Sequence, residues 1–275
     1  MLSLRTLAYL TIVVLNVSAL PVTFDCNAMP ETCNNMCYAM NRGVYNPMHF
    51  DSNPANRAGR RTAAGCKPNP NRCQNNPPTA LRITCDEYPF ASTHGTGMGG
   101  WYTGTGATTR CVSRAECSSQ GGTLSAFYQS FGRVDGTLVQ VMMINTGAAT
   151  PYCLNPALAP DANFQTGIAP PNRRDIDGFA TGGRPPSRRN SNATLYEYKT
   201  AANRTMLSIS GPIDIGTKVF VPNLEWQNHP KVNGLLGVDA DGDEDVCDDN
   251  AARVVAASML EVDELGEFDQ IVERV

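Results

Sequence analysis

The pattern of apolar and polar positions predicts two elements in the middle of the chain. Apolar side chains at helical spacing over residues 123–131 predict an amphipathic helix whose stripe faces a core. Gly132 ends this pattern, and Asp135 with Gly136 turns the chain into TLVQVMMI, residues 137–144, which predicts a buried strand. A third element, the short apolar run LRIT at residues 81–84, predicts a strand that leads into Cys85. The helical stripe consists of Leu124, Phe127, Tyr128 and Phe131.

The second half of the chain has a different pattern. Residues 159–192 are rich in Pro, Gly, Arg and Asn and lack an aliphatic pattern, so we expect a linker over residues 157–192. Strand-like segments separated by turn residues return over 195–223 and predict two to four strands. Asp248, Asp249 and Asn250 are suited to cap a helix through AARVVAASML, with the two acids near its N-terminal dipole. We therefore expect an α+β fold, with residues 193–275 as a C-terminal extension ending in an acidic tail.

The N-terminus and the cysteines predict an exported protein. A positive charge, an apolar run and the small residues 17–19 form a signal peptide over residues 1–19. The run is too short for a membrane anchor, and we expect no membrane span. The chain has ten cysteines, none in the signal peptide, and nine of them lie between Cys26 and Cys153. An even number in an exported chain predicts disulfides, with a crosslinked domain over residues 20–156, although their pairing stays open.

Charge separates the two halves of the chain. Residues 20–155 contain ten Lys and Arg against seven Asp and Glu, a net charge of +3. Residues 234–275 contain two Arg against thirteen acids, a net charge of −11. The acidic run after residue 239 does not match a calcium-binding EF-hand loop, because Glu244 stands where Gly is required. A solvated terminus is the simplest explanation of this tail, and a tail that covers a basic nucleic-acid-binding face is an alternative.

The candidate chemistry lies in CDEYPFAST, residues 85–93. Asp86 and Glu87 follow a predicted strand, and a disulfide at Cys85 would fix the backbone beneath Asp86. A carboxylate held in this way can act as a general base or a metal ligand. The alternative is that both acids are surface turn residues.

A second candidate segment directly precedes the predicted helix. Glu116 lies beside Cys117, and Gln120 with two glycines forms a flexible approach to the helix N-terminus. Free N–H groups and the helix dipole at such an N-terminus favour phosphate oxygens. Ordinary loop structure is the alternative explanation.

Three further residues are candidates for a nucleic-acid site. Arg60 and Arg61 are suited to hold phosphates, and a structural salt bridge with Asp51 is the alternative. His94, in the Gly-rich segment, is a second candidate for the base, although a lone loop histidine more often faces solvent.

Several ordered segments together resemble a known family. These are FDSNPANRAGRRTAAGC (50–66), CDEYPFAST (85–93), the Gly-rich stretch up to residue 100, AECSSQGG (115–122) and PYCLNP (151–156). With their cysteines in step, they resemble the NucA/NucB deoxyribonucleases, and most closely the cysteine-rich fungal members of that family. The resemblance covers about residues 24–156 and leaves the rest of the chain unexplained.

The resemblance implies a metal-dependent endonuclease with a ββα-metal core. In this family an aspartate replaces the usual histidine base, which implies that Asp86 is the base. In the family a downstream glutamate ligates the divalent cation, and Glu116 is the best match. The sequence around Glu116 differs from the pattern in the bacterial members of the family. Glu87 is then a neighbouring candidate, and Mg²⁺ or Mn²⁺ is the expected cofactor.

The sequence therefore predicts a secreted, monomeric endonuclease that hydrolyses DNA. N-glycans are expected at the acceptor sites Asn192 and Asn203. The alternative is a non-catalytic secreted binding protein or effector on the same scaffold. A glycan hydrolase is disfavoured, because Asp86 and Glu87 are adjacent and strand neighbours point to opposite faces.

Overall fold

The computed structural model describes residues 19–42, 44, 46–67, 70–94, 107–165, 195–209, 212–222 and 266–275. The predicted signal peptide up to residue 18, Asn192, most of the predicted linker and the predicted acidic helix lie outside these residues. The helices are α1 (Pro30–Asn41), α2 (Pro54–Ala63), α3 (Arg72–Asn75), α4 (Arg114–Ser130) and α5 (Pro151–Leu154). The strands are β1 (Leu20–Asp25), β2 (Met48–Phe50), β3 (Thr84–Tyr88), β4 (Thr93–His94), β5 (Thr108–Val112), β6 (Leu138–Ile144), β7 (Phe164–Gln165), β8 (Tyr196–Thr200), β9 (Thr205–Ser208), β10 (Lys218–Pro222) and β11 (Gly266–Arg274). The predicted α+β class is confirmed.

The larger sheet closes on itself. Strand β1 pairs in parallel with both β6 and β10, and the order β1-β10-β11-β8-β9-β6 therefore returns to β1 as a six-stranded barrel. Strands β2 and β4 continue this sheet from the edge of β6. The predicted strands over 195–223 are present as β8, β9 and β10. Strand β9 pairs with β6 and β10 pairs with β1, so both join strands from the first part of the chain. Strand β11, from the predicted acidic tail, lies between β10 and β8 and completes the barrel.

A smaller antiparallel sheet, β3-β5-β7, carries the CDEYPFAST segment. Helix α1 packs against β3, β5 and α4, and α4 packs against β1 and β10. The main hydrophobic core lies between these helices and the sheets, and it includes Phe24, Tyr88 and Phe127. Burial of this apolar surface is the main force that holds the two sheets together.

The predicted helix is present but begins nine residues earlier than expected. Helix α4 starts at Arg114, because Ser113 and Glu116 form a reciprocal capping box at its N-terminus. Gly121 and Gly122 therefore lie inside the helix, and the prediction that they form a flexible approach was wrong. Both glycines are buried, and each costs about 1 kcal/mol relative to alanine in a helix interior. Gly132 follows the helix with a φ of 68°, a conformation that glycine adopts without strain.

The strand predicted over residues 81–84 was placed too early. Leu81 is 77% exposed, whereas β3 begins at Thr84 and is buried at every residue. In the register of β3 and β5, Cys85 lies directly opposite Cys111. Asp86 and Glu87 are therefore strand residues, and the alternative that they are surface turn residues was wrong. The strand predicted over 137–144 is confirmed as β6.

The predicted disulfide framework is confirmed. Four disulfides join described residues, and Cys117 is also disulfide-bonded. All four carry a cysteine of α1, β3 or β5, the three elements that surround Asp86. They are Cys26–Cys33, Cys37–Cys153, Cys66–Cys85 and Cys73–Cys111.

Helices with the length and apolar content needed for a membrane span were not found in the described part of the chain.

Candidate functional site

Asp86 is fixed in the interior of the protein. Its side chain lies on β3 and is 0% exposed, in contact with α1. The Nδ2 group of Asn35 donates a hydrogen bond of 2.8 Å to Oδ2 of Asp86. The preceding residue, Cys85, is bonded to Cys66, so the backbone beneath Asp86 is anchored as predicted. Together these contacts hold the carboxylate in one position.

Arg110 stands directly opposite Asp86 in the β3–β5 register. Its guanidinium donates to Glu31, and it donates two parallel hydrogen bonds of 2.8 and 3.0 Å to Asp161. Burial alone would lower the pKa of Arg110, but the hydrogen bonds and charges of Asp161 and Glu31 outweigh it and raise the pKa. This network reaches solvent through Asp161, whose side chain is 47% exposed, and through Arg82, which also pairs with Glu31.

A second arginine, the partly buried Arg72, lies beside this network. It donates hydrogen bonds to Thr109 Oγ1 at 3.1 Å and to the Asn163 carbonyl at 3.1 Å. Burial, together with the positive charge of Arg110, lowers the pKa of Arg72 to about 10. The carboxylates of Glu31 and Asp161 thus offset much of the positive charge that Arg110 and Arg72 bring to the small sheet.

Glu116 joins the N-termini of two helices. Its Oε2 accepts hydrogen bonds of 3.1 Å from both the backbone N–H and the hydroxyl of Ser113, which caps α4. Its Oε1 accepts a hydrogen bond of 3.0 Å from the backbone N–H of Glu31 in the first turn of α1. A carboxylate oxygen has two acceptor positions. Oε2 thus uses both of its positions for these bonds, and Oε1 uses one.

Helix α1 brings the two predicted carboxylates together. Asp86 contacts Asn35, and Glu116 contacts Glu31, four residues earlier on the same helix. The two contacts differ in kind, because Glu31 donates its backbone N–H at the end of α1 and Asn35 donates its side-chain amide one turn further along. Asp86 and Glu116 therefore both contact the first two turns of α1, although they are distant in sequence.

Glu87 points to the other side of β3. It lies 3.7 Å from Nη1 of Arg61 on α2, and both side chains are buried. Asp86 faces α1, so the two adjacent acids occupy different environments, as their alternation along a strand requires. The structure does not bring Glu87 together with Asp86 and Glu116.

The two arginines proposed for phosphate contact are both buried. Arg60 forms a salt bridge with Asp51 and donates a hydrogen bond of 2.7 Å to the Ala91 carbonyl. The alternative of a structural salt bridge with Asp51 is therefore the arrangement present. Burial would raise the pKa of Asp51, but hydrogen bonds from Asn53, Arg60 and Asn56 outweigh it and lower the pKa. Neither Arg60 nor Arg61 presents its guanidinium to solvent.

Gln120 and His94 lie in positions that the sequence did not suggest. Gln120 is buried in the second turn of α4, so its placement at a helix N-terminus was wrong. Its Nε2 has no hydrogen-bond partner among the described residues, and it lies one turn beyond Glu116 on the same helix. His94 lies on β4 in the larger sheet, where its ring stacks on His49 with centroids 5.3 Å apart. Asp86 lies in the smaller sheet.

Three residues that contact the site were missed from the sequence. Asn35 and Glu31 lie on α1, which is buried along most of its length and therefore has no amphipathic pattern. Asp161 was assigned to a linker, yet it pairs with Arg110, and β7 just after it pairs with β5. Recognising Cys85 and Cys111 as strand neighbours would have placed Arg110 opposite Asp86.

A divalent cation such as Mg²⁺ or Mn²⁺ requires oxygen ligands from the protein or from water. Within the described ranges, no group of three or more His, Cys, Asp or Glu side chains is arranged to hold a metal ion. Glu116 offers the remaining acceptor position of Oε1, a hard oxygen of the kind that Mg²⁺ and Mn²⁺ prefer. Mg²⁺ commonly keeps several waters and binds through one or two carboxylates. The residues present therefore fit a cation that has one protein ligand and retains its other waters.

A comparison with known families gives one match. The family model described as deoxyribonuclease NucA/NucB matches residues 36–142, which include Asp86 and Glu116. The resemblance predicted from the sequence is thus confirmed for this segment. No curated protein and no solved structure matches the chain.

Proposed function

Because residues 36–142 match the deoxyribonuclease NucA/NucB family, we propose that this chain is a metal-dependent endonuclease that hydrolyses phosphodiester bonds of DNA. In this proposal Asp86 is the general base and Glu116 holds the divalent cation. The observation that carries the proposal is that Asp86 and Glu116 both contact the first two turns of α1, through the Asn35 side chain and the Glu31 backbone N–H.

The arrangement suits hydrolysis of a phosphodiester. Asp86 accepts a proton from the attacking water, whose oxygen forms a bond to phosphorus as the bond to the leaving oxygen breaks. A divalent cation, when bound at Glu116, supplies charge neutralisation at the scissile phosphate. Asn35 holds the Asp86 carboxylate in place, so the base does not have to reorient when the proton is transferred.

The order of elements supports a ββα-metal arrangement for this core. The antiparallel strands β3 and β5 are followed directly by α4, with Asp86 on the first strand and Glu116 in the first turn of the helix. In the proposed unit the base and the cation ligand would lie on the same side of the small sheet. Glu87 supports the unit from the opposite side through Arg61.

The buried position of Asp86 requires an opening step. Asp86 is 0% exposed and Glu116 is 8% exposed, so DNA cannot contact either carboxylate in this conformation. Catalysis requires that elements around the carboxylates separate when the substrate binds. The partly exposed side chains of Asp161 and Arg82 form the solvent-facing end of the network around Arg110.

The proposal is tested with purified full-length protein and supercoiled plasmid DNA. Cleavage is measured with Mg²⁺ or Mn²⁺, with EDTA, and for the variants Asp86→Asn and Glu116→Gln. The exposed Asp214→Asn is the matched control. Cleavage that requires the cation and is lost in Asp86→Asn and Glu116→Gln but kept in Asp214→Asn supports the proposal. Equal cleavage by all four proteins, or none by the wild type with either cation, refutes it.

The same burial favours a second candidate function. A scaffold whose carboxylates stay covered would bind nucleic acid or another partner without cleaving it. Fluorescence anisotropy of labelled DNA in EDTA separates the two candidates. Saturable binding with no cleavage in either cation would support the non-catalytic function.

We further propose that the chain is secreted as a glycosylated monomer. Disulfides are typical of oxidising compartments, and Asn203 lies exposed in the turn between β8 and β9. Asn192 is outside the described residues. Intact mass before and after glycosidase treatment of protein from the culture medium tests both glycans, and light scattering tests the monomer.

A further inference from the structure

Asn35 holds the Asp86 carboxylate from the neighbouring helix, and we propose that it is a positioning residue for the base. This inference rests on the proposed function. Asn35 directly precedes the matched segment 36–142, so the family match does not include it.

The orientation of the Asn35 amide is set by its surroundings. Nδ2 lies 2.8 Å from Oδ2 of Asp86, 3.2 Å from the carbonyl oxygen of Thr108 on β5 and 3.5 Å from the carbonyl oxygen of Asp86 itself. An amide nitrogen has two hydrogens, and the two nearer acceptors use both. The flipped amide would place its oxygen against a carboxylate and a carbonyl, which is repulsive. Asn35 therefore donates to Asp86 and does not accept from it.

The contact joins three elements at one point. Asn35 is fully buried on α1, Asp86 lies on β3 and Thr108 lies on β5. One side chain thus fixes both the carboxylate and the spacing of the helix from the two strands. Because the amide donates, the contact favours the ionised form of Asp86, which is the form that accepts a proton.

Other charged and titratable groups also lie at this junction. They come from every element that packs around it, and the test below keeps all of them unchanged. They are Glu31 and Tyr38 on α1, Arg72 on α3, Tyr88 on β3, Arg110 on β5, Glu116 on α4 and Tyr152 on α5.

Asn34 provides a matched control. It is also a buried asparagine on α1, but its partners are different. Its Nδ2 donates a hydrogen bond of 3.0 Å to the Ala149 carbonyl, and its Oδ1 accepts one of 3.4 Å from the Tyr152 N–H. Replacing Asn34 therefore removes the same side chain from the same helix without touching Asp86.

The experiment compares Asn35→Ala, Asn35→Asp and Asn34→Ala in two measurements. The first is the pH dependence of kcat for DNA cleavage. The second is a ¹³C titration of the Asp86 carboxyl carbon, whose signal is identified by its absence in Asp86→Asn. This titration does not require activity. Thermal unfolding shows which variants are folded, and the nearly isosteric Asn35→Asp is the second variant if Asn35→Ala does not fold.

The expected result is specific to Asn35. In Asn35→Ala, kcat falls by up to about 100-fold with little change in KM, because the base is misplaced. Both the acid limb of the kcat profile and the Asp86 titration move to higher pH by about one unit, because the ionised form has lost a donor. In Asn35→Asp two carboxylates share the position, and the Asp86 signal shows two inflections. Asn34→Ala leaves the acid limb and the titration unchanged.

Two results overturn the inference, and they differ from each other. If the wild type cleaves DNA but the acid limb and the Asp86 titration stay fixed in the Asn35 variants, Asn35 is only structural and the proposed function stands. If the wild type does not cleave DNA with either cation, the proposed function fails and the inference fails with it, even where the titration shows the hydrogen bond.

Discussion

Glu87 lies 3.7 Å from Arg61 on the face of β3 opposite Asp86, and both side chains are buried. The two adjacent acids thus serve different partners, since Asp86 contacts Asn35 on α1 and Glu87 contacts Arg61 on α2. In the proposed function Asp86 therefore has the chemical role and Glu87 a structural one.

We predict that Glu87→Gln lowers stability more than it lowers the activity of folded molecules. The substitution leaves the Arg61 charge buried without its partner carboxylate, and breaking a buried pair costs about 3–5 kcal/mol. Urea unfolding measures the loss, and cleavage is normalised to the folded fraction. Asp86→Asn is the comparison, with cleavage lost at nearly normal stability. A stable Glu87→Gln protein without cleavage would show that Glu87 takes part in the reaction.

Ser113 and Glu116 make the second prediction, because both contribute to the same helix cap. Ser113→Ala removes an N-cap side chain and should cost about 1 kcal/mol, while cleavage below the unfolding temperature is retained. Glu116→Gln should lose metal-dependent cleavage beyond what its stability explains. Calorimetry and plasmid cleavage give the two quantities. A loss of cleavage in both variants in proportion to lost stability would mean that Glu116 only caps the two helices.

Local pattern was sufficient to predict the elements that carry an apolar stripe or an apolar run. The stripe Leu124, Phe127 and Tyr128 is buried in α4, and β6 lies where its apolar run indicated. Asp86 was found because its segment resembles a family, and the structure places both Asp86 and Glu116 in contact with α1.

Elements buried together with polar or charged residues were not predictable in this way. Helix α1 has no polar face, so no periodicity marked Asn35. Strand β11 was included in an acidic tail, yet Ile271 is fully buried and Asp269 pairs with Arg204. Its acids are accommodated by tertiary contacts, which net charge along the sequence does not reveal.

The Asp51–Arg60 pair predicts a pH dependence of stability. The pKa of Asp51 is lowered in the folded protein, so its contribution is fully present above the unfolded value of about 3.9 and is lost as the pH falls through the folded value. Asp51→Asn should therefore cost about 3 kcal/mol at pH 5–7, and this difference should shrink below about pH 4. Urea unfolding at several pH values measures it.

The exposed Asp214→Asn is the control for this series, and it should change stability by less than about 0.5 kcal/mol at each pH. If the Asp51→Asn difference stayed constant from pH 7 to pH 3, the ionised carboxylate would not be the source of the stabilisation.

The disulfides of the small sheet provide the last prediction, because Cys85 and Cys111 are strand neighbours that are bonded to different partners. Replacing Cys66 and Cys85 by Ser opens a link with a sequence separation of 19, and replacing Cys73 and Cys111 opens one with a separation of 38. In the chain-entropy model these changes cost similar amounts, about 3 and about 4 kcal/mol.

The effect on cleavage should differ, since Cys85 precedes Asp86 directly whereas Cys111 follows Arg110. Well below both unfolding temperatures, the Cys66–Cys85 variant should have at least about tenfold lower kcat than the Cys73–Cys111 variant, because the base is less well placed. Equal kcat values in the two variants would mean that these disulfides contribute to stability alone and do not position Asp86.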